Sequence, residues 1–152
     1  MTRTHAFRLL EYDHWCNRRL FDVYSNSIDF QSKAVTSIFS HLLGAKEVWL
    51  NRIQEEAAPR SLLDERSLDE LVLLDFQLHQ AWLKVLKNQP ADLGFQSVSY
   101  ENFSGQLHTS SFNDILTHIV NHGSYHRGQI AQSMRASGLI PPATDFIVFS
   151  RQ

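Results

Sequence analysis

The chain has 152 residues, enough for one domain with a hydrophobic core, and 43% of its residues are hydrophobic. Its 14 basic and 16 acidic residues give a formal net charge of -2 without basic clusters, which argues against nucleic-acid binding. No apolar run reaches membrane-spanning length, the amphipathic start does not look like a secretory signal, and the single cysteine, Cys16, excludes an intrachain disulfide. We therefore expect one cytoplasmic domain over residues 1–152, with no role at a membrane.

The first predicted element is a helix from about residue 4 to residue 25, whose apolar residues recur at helical spacing. Two polar residues, Asp13 and Asn17, interrupt the apolar face one turn apart. They are either edge residues of a wide helix face or acceptors for the second ring N–H of metal-bound imidazoles. Cys16 projects onto the same apolar side, so we interpret it as a small buried hydrophobe rather than a nucleophile.

A second helix is predicted from about residue 32 to residue 54, and a third from about residue 67 to residue 88. The sequence Ala57-Ala58-Pro59-Arg60 separates them, because proline disfavours helix at the residue before it. Ser67, followed by acidic residues, supplies a cap for the third helix. His41 projects inside the buried face of the second helix, where a lone histidine is more often a hydrogen-bonded core residue than a metal ligand.

A short hairpin or extended excursion is predicted over residues 95–109, where apolar and polar residues alternate before the turn sequence Asn102-Phe103-Ser104-Gly105. The last long helix then begins near Ser111, whose spacing to Asp114 resembles a capping box, and ends before Gly138. Four amphipathic helices without internal repeats predict an all-α fold, a four-helix bundle.

Three histidines stand at successive four-residue steps in the last helix: His118, His122 and His126. Neighbouring members project from one face one turn apart, so two of them can bind a single metal ion without bending the backbone. The helical projection favours His122 and His126, which lie on or beside the buried face. His118 lies further round, and we expect it at the pocket mouth or in support of the ligands. In a bundle, His41 on a facing helix could meet the pair, and three imidazoles would leave an open coordination position, as in catalytic sites.

Three further residues of this helix are candidate site residues. Tyr125 and Gln129 are interpreted either as hydrogen-bond donors in the pocket or as packing residues. Arg127 is interpreted either as an anchor for a substrate carboxylate or as a member of an ion pair at an interface. Three imidazoles suit Zn or Ni, with Fe or Cu as alternatives.

The chain resembles the DinB/YfiT-like family of metalloenzymes over nearly its whole length. The motifs that carry the resemblance are His-Gly-x-x-His-Arg-Gly-Gln within residues 121–129, Tyr12-Asp13-His14-Trp15-Cys16-Asn17, His41-Leu42-Leu43-Gly44-Ala45 running to Trp49 and Arg52, and residues 138–146. The resemblance implies an up-down-down-up four-helix bundle, often dimeric, with a divalent metal bound by His41, His122 and His126. Many members have Asn where this chain has Asp13, which adds a carboxylate near the pocket.

Characterised enzymes of this superfamily use a low-molecular-weight thiol, such as bacillithiol, mycothiol or glutathione, for S-transfer or isomerisation. A divalent cation binds a thiol as its thiolate, the nucleophilic form that a free thiol with a pKa of about 8.5 largely lacks at neutral pH. The resemblance therefore implies a metal-dependent thiol transferase. Two alternatives stay open: a hydrolase that uses metal-bound water, with Asp13 as the visible general base, and a metal-binding stress-response protein without turnover.

Overall fold

The computed structural model describes residues 1–27, 32–56, 65–94 and 96–152. These residues form mostly helices, with one two-stranded antiparallel sheet. The elements in chain order are α1 (Arg3–Ser25), α2 (Lys33–Gln54), α3 (Leu68–Lys87), β1 (Ser97–Glu101), β2 (Leu107–Ser111), α4 (Phe112–Ala136) and α5 (Phe146–Phe149). The four long helices and the hairpin lie within two residues of their predicted positions, and α5 is an addition to them. The predicted break at residues 57–60 and the first residue of the predicted hairpin lie outside the described residues.

The helix ends follow local capping signals. At the start of α3, the Ser67 hydroxyl accepts from the Glu70 amide and the Glu70 carboxylate accepts from the Ser67 amide, which is a complete capping box. At the start of α4, the Ser111 hydroxyl accepts from the Asp114 amide at 3.0 Å. After α4, Gly138 adopts a φ of 79°, the left-handed conformation that glycine allows. The three signals predicted from the sequence are therefore confirmed.

The long helices pack so that each has two main neighbours: α1 and α2 each contact both α3 and α4. Buried apolar residues from all four form one core, in which the largest side chain, Trp82, donates from its Nε1 to the Lys46 carbonyl at 3.2 Å. The hairpin packs on α2 and α4, in the register Ser97 opposite Ser111. This arrangement places the histidine-bearing faces of α2 and α4 beside one another. No helix in the described part of the chain is long and apolar enough to cross a membrane.

A smaller cluster forms where α5 packs on α1. The Tyr12 ring contacts the rings of Phe146 and Phe149 at centroid distances of 5.1 and 5.6 Å, and its hydroxyl donates to the Thr144 carbonyl at 2.8 Å. Cys16 belongs to this cluster and is buried, which confirms its interpretation as a small hydrophobe. Burial raises the pKa of the Cys16 thiol to about 11, so the thiol stays protonated at neutral pH.

Candidate metal centre

Three histidine side chains from two neighbouring helices meet beside the core. His41 comes from α2, and His122 and His126 come from successive turns of α4. One ring nitrogen of each lies within 4.8 Å of a ring nitrogen of the other two. The ring centroids are 5.1 Å apart for His41 and His122, 4.7 Å for His41 and His126, and 4.4 Å for His122 and His126. We call this group the histidine centre; its nitrogens are close enough to hold one metal ion.

Two features of the histidine centre fit a metal ion. The Nε2 atom of His122 is buried and has no hydrogen-bond partner, which costs about 1–3 kcal/mol unless a ligand satisfies it. The Nδ1 atom of His126 lies 2.8 Å from the Gln129 Oε1, an atom that only accepts, so Nδ1 carries the proton. The Nε2 lone pair of His126 is therefore available, and Gln129 fixes the orientation of the ring.

The electrostatics favour the neutral form of His41 and His122, which is the form that binds metals. Burial, with the neighbouring imidazoles adding to it, lowers the pKa of His122 to about 4. Burial and the adjacent His126 also lower the pKa of His41. A metal therefore has little proton competition for His122 at neutral pH.

His118 and Tyr125 lie at the outer side of the centre. The His118 ring is 5.3 Å from the His122 ring and borders a cavity of about 330 Å³ that His41 and His122 also line, which is a pocket-mouth position. His118 does not join the group whose nitrogens converge. Tyr125 is 67% exposed and its ring meets that of His126 edge-on at 5.1 Å, so its hydroxyl-bearing ring lies mostly in solvent.

Asp13 and Asn17 contact charged side chains rather than imidazoles. The buried Asp13 carboxylate accepts from Lys46 Nζ at 2.9 Å and from Arg127 Nη1 at 2.6 Å. Asn17 accepts from Arg127 at 3.0 Å and donates to Asp75 at 2.7 Å. We call these five residues the ion cluster. The hypothesis that Asp13 and Asn17 orient metal-bound imidazoles is wrong, because stronger charge-assisted partners occupy them.

The charge of Asp13 is set by its two partners. Burial alone would raise its pKa, but Lys46 and Arg127 together lower it to about 2. The carboxylate is therefore ionised at neutral pH and engaged on both oxygens. Although Asp13 lies in the wall behind His122, it is a weak base there.

Arg127 is an internal cation rather than a ligand anchor. It is 3% exposed and donates to Asp13, to Asn17 and, at 3.1 Å, to the Ser124 hydroxyl. Of the two predicted roles, the structure supports the ion pair at an interface, because Arg127 of α4 pairs with Asp13 of α1. The role as a substrate anchor is wrong, since the guanidinium faces the core. Gly123 makes room for this pair, since a Cβ there would lie 2.7 Å from the Asp13 Oδ1 and 2.8 Å from the Arg127 Nη1.

Lys46 and Asp75 are the two charged members of the ion cluster that sequence reasoning missed. They are 2% and 1% exposed, and Asp75 also accepts from the Nδ1 of His14 at 2.6 Å. Each occupies a helical position that should be apolar: Lys46 lies one turn from Leu42 and Leu50, and Asp75 one turn after Leu71. A charged residue at an apolar position is the one signal in the sequence that could have found them.

Two comparisons relate the chain to known proteins. Residues 3–152 match the model of the DinB family. Protein DinB of Bacillus subtilis (strain 168) is 25% identical over 158 residues, which cover 93% of this chain and 91% of the relative. The family match includes all three members of the histidine centre and the whole ion cluster. The chain therefore belongs to the DinB family.

Proposed function

We propose that this chain is a divalent-metal enzyme that binds a low-molecular-weight thiol as thiolate and transfers its sulfur to an electrophile. The observation that carries the proposal is the histidine centre, where three nitrogens converge and the Nε2 of His122 is buried without a partner. No fourth histidine, cysteine or acidic side chain joins the group in the described residues. Three protein ligands leave a coordination position for an exogenous ligand. The resemblance to thiol-using enzymes supports the choice of thiol.

The chain's own residues would hold the metal and admit the reactants. His41, His122 and His126 would bind the ion, and Gln129 would keep the Nε2 of His126 pointed at it. The ion would supply stabilisation of a thiolate at neutral pH. In the overall reaction the thiol proton passes to solvent, the sulfur electron pair forms the new S–C bond, and the leaving group departs with the electrons of the broken bond. The adjoining cavity of about 330 Å³ offers room for the reactants.

The geometry favours this proposal over the hydrolase alternative. The hydrolase alternative, as drawn from the sequence, would use Asp13 as the general base for a metal-bound water. Asp13, the candidate general base, has both oxygens in ion pairs and a pKa of about 2. A bound divalent ion would hold a thiol as its thiolate, so thiol transfer would not depend on Asp13 as a base.

The remaining proposals concern assembly and metal. We propose that the four long helices form an up-down-down-up bundle in one domain over residues 1–152, a view supported by the two main neighbours of each helix. Zn or Ni is the first candidate metal, with Fe or Cu as alternatives, because imidazole suits all four.

A homodimer and a cytoplasmic location are proposed from the sequence alone. Analytical ultracentrifugation at micromolar concentration tests the dimer, and a monomer alone would remove it.

The function is tested by spectroscopy on cobalt-substituted protein. Bacillithiol, mycothiol and glutathione are titrated into Co(II)-loaded wild type and into the His122→Ala and His118→Ala variants. We expect a thiolate-to-cobalt charge-transfer band in wild type and His118→Ala, and none in His122→Ala. Thiol consumption is then followed with 1-chloro-2,4-dinitrobenzene. Metal-loaded protein that shows no band with any thiol would contradict the proposal, and a band without turnover would favour the non-catalytic alternative.

A further inference from the structure

The lining of the cavity beside the histidine centre includes Arg52, a cation that lies over aromatic rings. We propose that Arg52 binds the carboxylate of an extended thiol whose sulfur reaches the histidine centre, so that the site selects anionic thiols of a defined length. This inference rests on the proposed function. It assigns a substrate class to the site and a binding role to a residue outside the histidine centre.

The Arg52 guanidinium is oriented by aromatic rings, but most of its N–H groups donate no hydrogen bond to the described residues. Its Cζ lies 4.7 Å from the Trp49 ring centroid, 4.5 Å from that of Tyr100 and 5.5 Å from that of Phe103. Its Nη2 donates to the Glu101 carbonyl at 3.3 Å, the single acceptor for this side chain among the described residues, and its Nε is buried without a partner. A guanidinium has five N–H donors in a planar fork that matches a carboxylate. The rings fix the plane of the fork and leave donors for a ligand.

The charge of the cavity favours an anion. Arg52 supplies the permanent positive charge of the described lining, whose other ring nitrogens belong to the imidazoles of His41, His108, His118 and His122. Among the described residues, no aspartate or glutamate lines it. Tyr100 and Asn102 both line the cavity, so Glu101 between them projects to the other side of the strand. A bound divalent ion would add two positive charges, which makes an anionic ligand the complementary one.

The spacing along α2 sets the length of the ligand. Arg52 follows His41 by eleven residues, or three helical turns, so the two side chains project from the same face with Cα atoms about 16 Å apart. Ala45 and Trp49 line the cavity between them. Since the side chains at both ends shorten this gap, we expect a sulfur-to-carboxylate distance of roughly 8–12 Å. A short mercapto acid cannot span that distance, whereas a peptide-sized thiol can.

The test compares mercapto acids with mercapto alcohols of equal length on Co(II)-loaded protein. The acids are mercaptopropionate, mercaptohexanoate and mercaptooctanoate, each with a terminal thiol, and dissociation constants come from the charge-transfer band. We expect the two longer acids to bind wild type at least about tenfold more tightly than their alcohols, the effect of one charge-assisted contact of about 1.4 kcal/mol. Mercaptopropionate should show no such advantage. Arg52→Gln should abolish the advantage of the acids over the alcohols of equal length, and Arg52→Lys should keep part of it.

A matched control is Arg19→Gln, because Arg19 also stacks on a tryptophan, at 4.9 Å from the Trp15 ring, but does not line the cavity. Arg19→Gln should keep the preference for acids over alcohols.

If Arg52→Gln does not fold, salt provides the second measurement. At about 0.5 M salt, where the Debye length is roughly 4 Å, the preference of wild type for acids over alcohols should shrink. Equal affinities for acids and alcohols, or a preference that survives Arg52→Gln, would overturn the inference while thiol binding stands. Absence of a band with every thiol would instead reject the proposed function.

Discussion

The ion cluster is buried in the interior and the histidine centre lies half-buried beside the core, and the two groups satisfy their polar atoms differently. In the ion cluster, two carboxylates and two cations balance, and each has at least one charged or amide partner inside the chain. In the histidine centre, the three rings donate no hydrogen bond to one another, and His122 has an unpaired buried nitrogen. A polar group with internal partners stabilises the fold, whereas one without them is suited to an external ligand. The two regions should therefore respond oppositely to mutation and to metal.

The largest effect is expected when a charge is removed from the ion cluster. Asp13→Asn leaves two buried cations with a neutral partner, which should lower the free energy of unfolding by about 3–5 kcal/mol. Urea denaturation of the metal-free protein measures this loss. The matched control is Asp22→Asn, at an exposed position of the same helix, which should change stability by no more than about 0.5 kcal/mol. A loss below about 1 kcal/mol in Asp13→Asn would mean that the ion cluster is not a structural element.

The histidine centre should show the opposite behaviour. His122→Ala removes a nitrogen that has no partner, so we expect the metal-free variant to lie within about 1 kcal/mol of wild type. Zn added at a hundredfold excess over its dissociation constant should stabilise wild type by about 2.7 kcal/mol and leave His122→Ala unchanged. Thermal denaturation with and without Zn measures both. Equal stabilisation of the two proteins would place the metal elsewhere.

Two glycines on α4 sharpen the comparison because only one adjoins the ion cluster. Gly123→Ala places a methyl group against the Asp13–Arg127 pair and should cost about 1–3 kcal/mol. A methyl group at Gly128 would point into open space, with no packed atom within 4 Å, so Gly128→Ala should stabilise the helix by about 0.5–1 kcal/mol. Urea denaturation of both variants measures the difference. If both variants were more stable than wild type, the ion pair would tolerate the methyl group, contrary to this account.

The smallest expected effect is a pH dependence that separates the two regions. The pKa of His122 is about 4 in the folded chain against an ordinary 6.5, so below pH 6.5 the unfolded chain binds more protons. Stability of the metal-free protein should fall as the pH drops from 6.5 towards 4, by about 1 kcal/mol at pH 5 because the half-buried ring keeps some hydration. Asp13, with a pKa of about 2, loses its contribution only as pH falls from its ordinary 3.8 through 2. Urea denaturation between pH 7 and pH 5 should show that the free energy of unfolding depends less on pH in His122→Gln than in wild type. An unchanged slope would contradict the assignment of this pH dependence to His122.

Much of the fold is predictable because it depends on local patterns. Hydrophobic periodicity locates the long helices, and capping serines and Gly138 locate three of their ends. The convergence of His41 with His122 and His126 also follows from periodicity, once α2 and α4 are taken as neighbours.

The partners of the buried polar residues are not predictable in the same way. Helical projection gives the direction of Asp13 but not which residue of a facing helix lies opposite it. That residue is Lys46, which occupies a position that the apolar pattern treats as hydrophobic. The same limit explains Arg127. Its long side chain turns inward to Asp13, but its position on the helix is compatible with a side chain that points either inward or outward. Which residue a side chain contacts on a neighbouring helix depends on tertiary packing, and the sequence of a single helix does not determine it.

The most direct measurement is metal content by elemental mass spectrometry on tag-free protein. Wild type is compared with His41→Ala, His122→Ala and His118→Ala, each supplied with Zn or Ni and then dialysed. The three-histidine assignment predicts about one metal ion per chain in wild type and His118→Ala, and loss of the ion in the other two variants. Wild type that takes up neither metal, or an equal loss in His118→Ala, would contradict it.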